Sequence, residues 1–457
     1  MARPRVSIIG LGKLGTCLAA RLAHKGFDVI GMDVESRIVE SLRTGTTLIR
    51  EPGLAEMLAA NRTRLRATTN VEEAVLASDI SLIIVPTPSE EHGGFSLRCV
   101  NQAVREISRA LAVKSGYHLV VLTSTVLPGS TGGAVRPLLE DGSGKRCGPD
   151  FGLCYSPLFI SLGSVLRDLS DPDVVLIGES DERAGWMLES LHRLLCDNSP
   201  HVARMNFINA ELTKLAVNTY ITTKISFANM LAGLCERLPG ADIDVVTKAL
   251  GADSRIGGRY LTGAISYGGP CFPRDNRAMS RLAKQLGCDA FLAESTDRIN
   301  DTHAEQVLAR IQEQLEPGAA VGVLGLSYKP DTDVVEESAG LELARALAEA
   351  GFHVVVHDPL ALDNVRRILG ERVTYADSLQ ACLDAVEAVV IANPAKEFHA
   401  LAAAQIPLRA KPFVVFDCWR ILRGKLGRLP SIRYIAIGLA EDGAVAEAVG
   451  LQPGRAG

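Results

Sequence analysis

A glycine-rich turn follows the first apolar run of the chain and limits the folds open to it. The run Val6–Ile9 predicts a short buried strand, and Gly10, Gly12 and Gly15 follow it with the spacing G-x-G-x-x-G. The first glycine allows a tight turn, the second lets the backbone approach a pyrophosphate, and the third lets the following helix pack on the strand. The segment therefore predicts the start of a dinucleotide-binding domain. We expect the cofactor to contact Gly10, Leu11, Gly12, Lys13, Leu14 and Gly15.

A second predicted strand, 27–32, ends at an acid, Asp33, about 18 residues after Gly15. A carboxylate at this point accepts hydrogen bonds from ribose hydroxyls and repels a 2′-phosphate, so it favours NAD over NADP. Arg37 lies close by and is able to hold such a phosphate, which leaves NADP open as the alternative. We expect both Asp33 and Arg37 to lie at the cofactor.

Composition indicates a cytoplasmic enzyme. The 457 residues are 47% hydrophobic and 22% charged, enough for two or three domains with their own cores. A net charge of -5 without a basic block argues against nucleic acid or an anionic membrane as partner. The sequence shows neither a run of transmembrane length nor a signal-peptide pattern. The 10 cysteines are scattered without a C-x-x-C pair, which predicts neither a metal site nor disulfides.

Two further predicted strands, 80–85 and 118–122, run into turns with polar residues. Pro86 and Thr87 follow the first strand, and Thr125 follows the second. Ligands of open α/β sheets bind at the carboxyl ends of parallel strands, so we expect these three residues at the cofactor. A simple turn role for Thr125 stays open.

The remaining pattern predicts an α/β chain with two Rossmann-like domains, each with a parallel sheet, joined by a helical central domain. A long helical run covers 206–237, and near residue 320 a strand–glycine pattern begins again, with a later strand ending in Asp358. We expect an NAD-binding domain at 1–200, a helical domain at 201–300 and a second Rossmann-like domain at 301–457. The long central helix predicts a homodimer interface or, alternatively, an intrachain spacer.

Near the middle of the chain, Cys271 lies between glycines and prolines, with Asp275 four residues later. A thiolate is a nucleophile when a cation, backbone amides or solvent stabilise its charge. Beside a dinucleotide site, such a cysteine can carry an aldehyde to a thioester, because a thiohemiacetal is a good hydride donor. The alternative is a buried structural cysteine.

In these blocks the chain resembles the UDP-glucose/GDP-mannose dehydrogenase family over nearly its whole length. Beyond the first glycine motif, the resemblance is carried by Glu51-Pro52-Gly53-Leu54, Val85-Pro86-Thr87-Pro88, Ser124–Pro128, Glu211–Asn218, Tyr267–Asp275 and Gly325–Asp333. It implies oxidation of the primary alcohol of a nucleotide-linked hexose to a carboxylate, with two NAD and one cysteine. The form Tyr-Gly-Gly-x-Cys-Phe-Pro resembles the UDP-glucose dehydrogenases more than the UDP-acetamidosugar branch, which usually has His before its cysteine.

The resemblance assigns catalytic roles to five residues. Lys214 and Asn218 lie four apart on one predicted helix, hence on one face, where an ammonium and an amide can hold an oxyanion. Asp275 would organise Lys214 and a water for proton transfer. The alternatives are a solvated helix face for the first pair, and capping or an ion pair with Arg274 for Asp275. Cys271 is the nucleophile, and Thr125 lies at the nicotinamide side.

Further positions match substrate-binding residues of the family. Lys329 matches a lysine that contacts the diphosphate, although a single surface cation is more often only solvated. The expected substrate-binding set is Leu158, Phe159, Ile160, Lys214, Asn218, Arg255, Tyr260, Gly268 and Lys329.

The chain departs from the family pattern at several points. Leu158 and Leu162 stand where family members carry glutamates, the first of which is thought to act as base in thioester hydrolysis. Glu336 stands where an arginine usually approaches the cofactor, and Ile38 replaces a cofactor-binding lysine.

Three interpretations follow from these departures. Asp275 or Thr125 with water takes over hydrolysis, or the chain is a divergent dehydrogenase with another sugar or product. The third is a non-catalytic nucleotide-sugar sensor, against which the retained Cys271 and Lys214 argue.

Overall fold

The computed structural model describes residues 3–91, 93–427 and 429–440. The chain divides into two compact units, Met1–Val217 and Asn218–Gly457. The predicted domain boundaries near residues 200 and 300 stay a prediction, and the predicted end of the last domain, 441–457, lies outside the described residues.

The first unit is built on an eight-stranded sheet with the order β3-β2-β1-β4-β5-β6-β7-β8. Its strands are β1 (Val6–Ile9), β2 (Val29–Met32), β3 (Leu65–Thr68), β4 (Ile80–Ile83), β5 (His118–Leu122), β6 (Phe151–Tyr155), β7 (Val174–Glu179) and β8 (His201–Met205). Neighbouring strands are parallel except for β6 and β7, which pair antiparallel. The strand order reverses between β1 and β4, and at such a point open α/β sheets bind their ligands.

Helices cover both faces of this sheet. They are α1 (Lys13–His24), α2 (Ser36–Arg43), α3 (Leu54–Ala60), α4 (Val71–Leu76), α5 (Arg98–Val113), α6 (Arg136–Ser143), α7 (Val165–Ser170) and α8 (Glu182–Leu195), and the long α9 (Phe207–Cys235) begins in this unit. Successive side chains of a strand point to opposite faces of the sheet, and helices cover both faces. The strands are therefore apolar at consecutive positions. Ile8 accordingly packs in one core and Ile9 in the other.

The second unit carries a six-stranded parallel sheet with the order β11-β10-β9-β12-β13-β14. Its strands are β9 (Ala320–Leu324), β10 (His353–His357), β11 (Thr374–Tyr375), β12 (Ala388–Ile391), β13 (Phe413–Asp417) and β14 (Ile432–Ala436). Its helices, besides most of α9, are α10 (Ile243–Ala252), α11 (Phe272–Gln285), α12 (Phe291–Gln314), α13 (Ala339–Glu349), α14 (Leu362–Leu369), α15 (Leu379–Ala385), α16 (Lys396–His399) and α17 (Arg423–Leu426). The predicted fold class is confirmed, with the antiparallel β6–β7 pair as a local difference.

Within 3–91, 93–427 and 429–440, none of the helices combines the length and the apolar character that a bilayer crossing requires.

The second sheet, like the first, begins with a strand, a glycine turn and a later strand followed by an acid. The acid of the second sheet, Asp358, has more hydrogen-bond partners than Asp33. A Cβ on Gly340 would lie 2.0 Å from the carbonyl oxygen of Gly325, so the helix packs against the turn as tightly as only glycine allows. Asp358, at the end of β10, is 3% exposed and accepts five hydrogen bonds. The donors are Leu326 N, Ser327 N, Ser327 Oγ, Leu360 N and Ala361 N, at 2.8–3.0 Å. This carboxylate therefore joins the loop after β9 to its own loop after β10.

A buried polar chain crosses the first sheet at its central strands. The hydroxyls of Ser7 and Ser81 lie 2.6 Å apart, and Ser81 Oγ lies 2.8 Å from His118 Nε2. Burial, helped by the positive charge of Lys114, lowers the pKa of His118 to about 3. The folded chain therefore holds this imidazole neutral.

We expect the free energy of unfolding to fall as the pH drops from about 6.5, the pKa of an unfolded histidine, towards 3. Over this range the unfolded chain binds a proton that the folded chain excludes at His118. His118→Gln should make the decline shallower by up to about 1.4 kcal/mol per pH unit, measured by urea unfolding between pH 6 and 4. The exposed His201→Gln is the control. An unchanged slope in His118→Gln would contradict this origin of the acid sensitivity.

Candidate active site

The glycine turn lies between β1 and α1, as predicted. A Cβ on Gly10 would lie 2.2 Å from the carbonyl oxygen of Ile84, and one on Gly15 would lie 1.9 Å from the carbonyl oxygen of Gly10. A Cβ on Gly12 would meet none of the described atoms within 4 Å. Packing thus explains Gly10 and Gly15, whereas at Gly12 the backbone is open to a close-approaching ligand. This is the arrangement that a pyrophosphate needs.

Asp33 supports the same turn from the end of β2. Its carboxylate accepts the N–H of Leu11 at 2.7 Å and the N–H of Glu35 at 2.9 Å. The side chain is half-buried, and Arg37 is exposed on α2. In the described part of the chain, no side chain caps the first turn of α1, where Lys13 and Leu14 lie. Helix N–H groups of this kind bind phosphate, so the residues present fit a dinucleotide.

The ends of β4 and β5 are joined by side-chain hydrogen bonds. Thr87 Oγ1 donates to the carbonyl of Thr125 at 2.8 Å, and Ser124 Oγ donates to the carbonyl of Val85 at 2.7 Å. Pro86 is exposed and Thr125 half-buried beside this junction. The structure thus brings Pro86, Thr87 and Thr125 together at the carboxyl edge of the sheet, and their contact with the cofactor stays a prediction.

A buried glutamate ties the loop after β5 to the long helix. Glu211 is fully buried on α9 and accepts the N–H groups of Gly129 and Thr131 at 2.6 and 2.7 Å. Burial raises the pKa of this carboxyl, and the hydrogen bonds from Thr131 and Gly129 oppose the shift. The block that contains Glu211 is part of the family resemblance, but the sequence did not predict this role for Glu211.

Lys214, one helical turn after Glu211, is buried with 7% of its surface exposed. Its Nζ donates to the carbonyl of Leu158 at 3.0 Å and lies 4.6 Å from the centroid of the Phe159 ring. The structure therefore brings Lys214 together with two members of the predicted substrate-binding set. Both belong to the segment in which the chain departs from the family pattern.

That segment turns apolar side chains towards the sheet. Leu158, Ile160 and Leu162 are half-buried and pack against the core that contains Ile8. The two leucines at the departing positions thus have a packing role. They supply no carboxylate for hydrolysis.

Cys271 lies in the second unit, immediately before α11. All 10 cysteines lie in the described part of the chain, and Cys271 and Cys288 are the exposed ones. Solvent access and the N-terminus of a helix both favour a thiolate. The backbone carbonyl of Cys271 accepts the N–H of Asp275 at 2.8 Å, so the thiol and the carboxylate share one helical turn.

Asp275 is fully buried and tightly paired. Its carboxylate accepts hydrogen bonds from Asn218 Nδ2 at 2.6 Å and from Arg274 Nε at 2.9 Å. The ion pair with Arg274 is the alternative that the sequence left open, and the contact with Asn218 was not foreseen. Burial is the largest single influence and lowers the pKa of Arg274, but the negative charges around it, with Asp275 and Cys271 foremost, raise it overall.

The glycines before Cys271 pack against the segment that precedes α13. A Cβ on Gly268 would lie 1.9 Å from the carbonyl oxygen of Glu337, and Gly269 N donates to the carbonyl of Glu336 at 3.0 Å. Arg277 pairs with Glu337 at 2.8 Å. Gly268 therefore has a packing reason beside its predicted substrate contact, and the exposed Glu336 supports the cysteine loop through its backbone.

Three predicted substrate-binding residues lie at the surface of the second unit. Arg255 pairs with Asp253 at 2.6 Å, and its side chain is 86% exposed. Tyr260 has a positive φ of 67° and is 47% exposed. Lys329 Nζ lies 5.9 Å from the centroid of the Tyr328 ring. Their contact with a substrate stays a prediction.

The fold, the glycine turn and Asp33 together define a protein with a dinucleotide-binding domain. Residues 4–196, 208–302 and 322–424 match the NAD binding, central and UDP binding domains of the UDP-glucose/GDP-mannose dehydrogenase family. The chain belongs to this family of nucleotide-sugar 6-dehydrogenases, which confirms the resemblance. Its cofactor is NAD, as predicted.

Relatives with different sugar substrates are similar to the chain. UDP-glucose 6-dehydrogenase AglM of Haloferax volcanii is 36% identical over 426 residues, 92% of this chain and 98% of that protein. GDP-mannose 6-dehydrogenase of Pseudomonas putida is 33% identical over 87% of this chain and 93% of its own. The structure of a UDP-glucose dehydrogenase from Pyrobaculum islandicum superposes with a TM-score of 0.88 at 37% identity, covering 96% of this chain and 98% of that one.

Proposed function

We propose that the chain oxidises the C6 alcohol of UDP-glucose to the carboxylate of UDP-glucuronate through a thioester on Cys271. The UDP binding domain at 322–424 supports a nucleotide-sugar substrate. AglM and the Pyrobaculum islandicum protein, both named as UDP-glucose dehydrogenases, support glucose as the sugar. The observation that carries the mechanism is the exposed Cys271 beside the buried Asp275, whose partners are the half-buried Arg274 and the buried Asn218.

The first oxidation removes a proton and a hydride from the C6 alcohol and leaves an aldehyde. NAD, when bound, supplies the hydride acceptor for each of the two oxidations. In the proposed mechanism the ammonium of Lys214 stabilises the alkoxide that forms as the proton leaves. Its low exposure strengthens this charge interaction, since water screens it less.

The second oxidation begins when the Cys271 thiolate adds to the aldehyde carbon. The resulting thiohemiacetal loses a hydride and a proton and becomes a thioester. Water then attacks the thioester carbonyl, the carbon–sulfur bond breaks, and the acid and the free thiol result. Overall, one alcohol, one water and two NAD⁺ give one carboxylate, two NADH and three protons.

Asp275 has a defined part in this proposal. Buried between Arg274 and Asn218, its carboxylate orients the Asn218 amide, whose second N–H is available to an oxyanion. The Arg274–Asp275 pair also places a guanidinium close to the thiolate of Cys271. These contacts fix the helix turn that carries the nucleophile.

A screen of NADH formation tests the substrate. UDP-glucose, UDP-galactose, UDP-N-acetylhexosamines, GDP-mannose and a nucleotide-linked heptose are compared by kcat/KM. We expect UDP-glucose to be preferred, with two NADH released per sugar. A preference for another nucleotide sugar would overturn the substrate assignment, one NADH per sugar would indicate an aldehyde product, and none would indicate a sensor.

A second candidate is a dehydrogenase of the same class whose thioester is released slowly or by another route. The packing of Leu158 and Leu162 against the core favours it, because these side chains cannot act as bases. The two candidates share the steps up to the thioester. They differ in how long Cys271 stays acylated.

If hydrolysis is slow, intact-protein mass spectrometry after a rapid acid quench should show a sugar-nucleotide adduct on Cys271 during turnover. Leu158→Glu should shorten the lifetime of the adduct, provided that burial does not raise the pKa of the new carboxyl enough to keep it neutral. Leu158→Gln is the neutral control of the same size. Rapid release of acid by the wild type, with two NADH per sugar and no adduct, would rule out slow release.

We also propose a homodimer formed through α9. The part of this helix in the second unit exposes Tyr220, Phe227, Met230 and Leu234, which are 44–62% accessible. Apolar side chains at spacings of seven, three and four residues form one stripe on a helix. Sedimentation velocity measures the oligomeric state directly, and a monomer at micromolar concentration would contradict the proposal.

A further inference from the structure

Glu51, in the block Glu51-Pro52-Gly53-Leu54, has no role in the reaction as described so far. Its carboxylate accepts the N–H of Gly163 at 2.8 Å and the N–H of Val165 at 2.7 Å, across 112 and 114 residues of chain. Val165 is the first residue of α7. Ser164, which precedes this helix, directs its hydroxyl to Asp168 Oδ2 at 2.9 Å. Glu51 therefore caps α7 from a distant part of the sequence.

A second carboxylate binds the same segment from within. Asp168 Oδ2 also accepts the N–H of Ser161 at 2.9 Å. Residues 158–165 form the acceptor loop, so called because its Leu158 carbonyl accepts the hydrogen bond from Lys214. Two carboxylates thus accept the N–H groups of Ser161, Gly163 and Val165, from the middle of the acceptor loop to its C-terminal end.

The other end of the acceptor loop holds Lys214. The carbonyl of Leu158 accepts the Nζ hydrogen bond at 3.0 Å, and the Phe159 ring lies 4.6 Å from the same nitrogen. A carbonyl and an aromatic face both attract an ammonium, the second through its ring electrons. Because Lys214 is only 7% exposed, the position of its ammonium depends on where these two groups lie.

We propose that Glu51 is a positioning residue that acts on Lys214 through the acceptor loop. Hydrogen bonds from two backbone N–H groups to one carboxylate are charge-assisted and fix the acceptor loop against the segment before α3 that carries Glu51. Without them, the Leu158 carbonyl and the Phe159 ring move relative to Lys214. A displacement of about 1 Å in a charge-stabilising group is enough to lower a rate by up to about 10²-fold.

The test compares Glu51→Gln with Glu56→Gln, a matched variant at an exposed position on α3. An amide can accept at one oxygen, but its NH₂ group faces the second backbone donor, so the clamp is broken without loss of volume. We expect kcat to fall by about 10-fold or more in Glu51→Gln, with the Kd for NAD changed by less than about 2-fold. Hydrogen exchange of the peptide covering 159–165 should accelerate in Glu51→Gln alone.

A double-mutant cycle separates positioning from a general structural role. If Glu51 acts through Lys214, adding Glu51→Gln to Lys214→Ala should cost little more than Lys214→Ala alone. Additive losses would overturn the proposal, and so would faster loop exchange with an unchanged kcat. If Glu51→Gln does not fold, Glu51→Asp, which keeps the charge but shortens the reach, takes its place in the cycle.

This inference rests on the proposed role of Lys214, and the two fail differently. A near-normal kcat in Lys214→Ala would remove the catalytic role of Lys214, whatever Glu51 does. A large loss in Lys214→Ala together with a normal kcat in Glu51→Gln would leave the proposed function intact and remove only the positioning role.

Discussion

Cys271→Ser should stop acid production, with a loss on the order of 10³-fold or more in the rate of the second oxidation. A serine hydroxyl is far harder to ionise near neutral pH than a thiol, so the covalent thiohemiacetal does not form. The first oxidation needs no covalent bond, and the variant should release aldehyde slowly. Chromatography of the sugar nucleotides, with NADH counted per sugar, measures both products.

Cys288→Ser is the control, since Cys288 is the other exposed cysteine. It should keep two NADH per sugar. Full acid production by Cys271→Ser would remove the thioester mechanism and leave a second oxidation that acts directly on the bound, hydrated aldehyde.

Lys214→Ala should lower kcat on the order of 10²-fold or more, by analogy with the loss of an oxyanion donor. The reason is electrostatic, because the alkoxide and the thiohemiacetal oxygen carry a negative charge that the ground-state alcohol lacks. The Kd for NAD should change little. Steady-state kinetics with NAD titration separates these quantities.

Lys248→Ala, an exposed lysine on α10, controls for the loss of a positive charge. A near-normal kcat with only a raised KM in Lys214→Ala would show that Lys214 binds substrate and transition state equally. The lysine would then be a binding residue.

The beginning of the fold was predictable from local physics. Gly10 packs against the carbonyl of Ile84 after β4, but its positive φ of 102° is a requirement of the turn itself. Gly15 is required by a contact with the Gly10 carbonyl within the strand–turn–helix unit, and Asp33 accepts a hydrogen bond from the same turn. Requirements of this local kind appear in the sequence as a fixed spacing of glycines. The direction of β7 was not predictable, because a buried strand has the same apolar pattern whether it runs parallel or antiparallel to β6.

The sequence allowed candidate site residues to be named, but it did not predict their contacts. Lys214 and Cys271 were identified by motif, but the Leu158 carbonyl that binds Lys214 is a backbone group, which every residue carries. The same holds for Glu51, whose partners are the backbone N–H groups of Gly163 and Val165. When a side chain binds a backbone group far along the chain, the residue that supplies the backbone group can be of almost any type. The sequence therefore does not reveal such a contact.

Asp275 has two partners, of which the sequence suggested only one. The ion pair with Arg274 lies within one helical turn and was an open alternative from sequence, whereas the contact with Asn218 joins α11 to α9. Only the fold brings the second pair together. The two partners together explain how a fully buried carboxylate is held.

Asp33 and Asp358 follow equivalent strands of the two sheets, yet their carboxylates have different numbers of hydrogen-bond partners. Asp33 accepts two backbone N–H groups, which leaves a carboxylate with acceptor capacity for a visiting hydroxyl. Asp358 already accepts five hydrogen bonds from the loops that follow β9 and β10. We expect a change of Asp33 to alter which dinucleotide is preferred, whereas a change of Asp358 removes the acceptor of five hydrogen bonds. Of the two acids that follow equivalent strands, Asp33 is therefore the one to substitute when cofactor preference is to be changed by protein engineering.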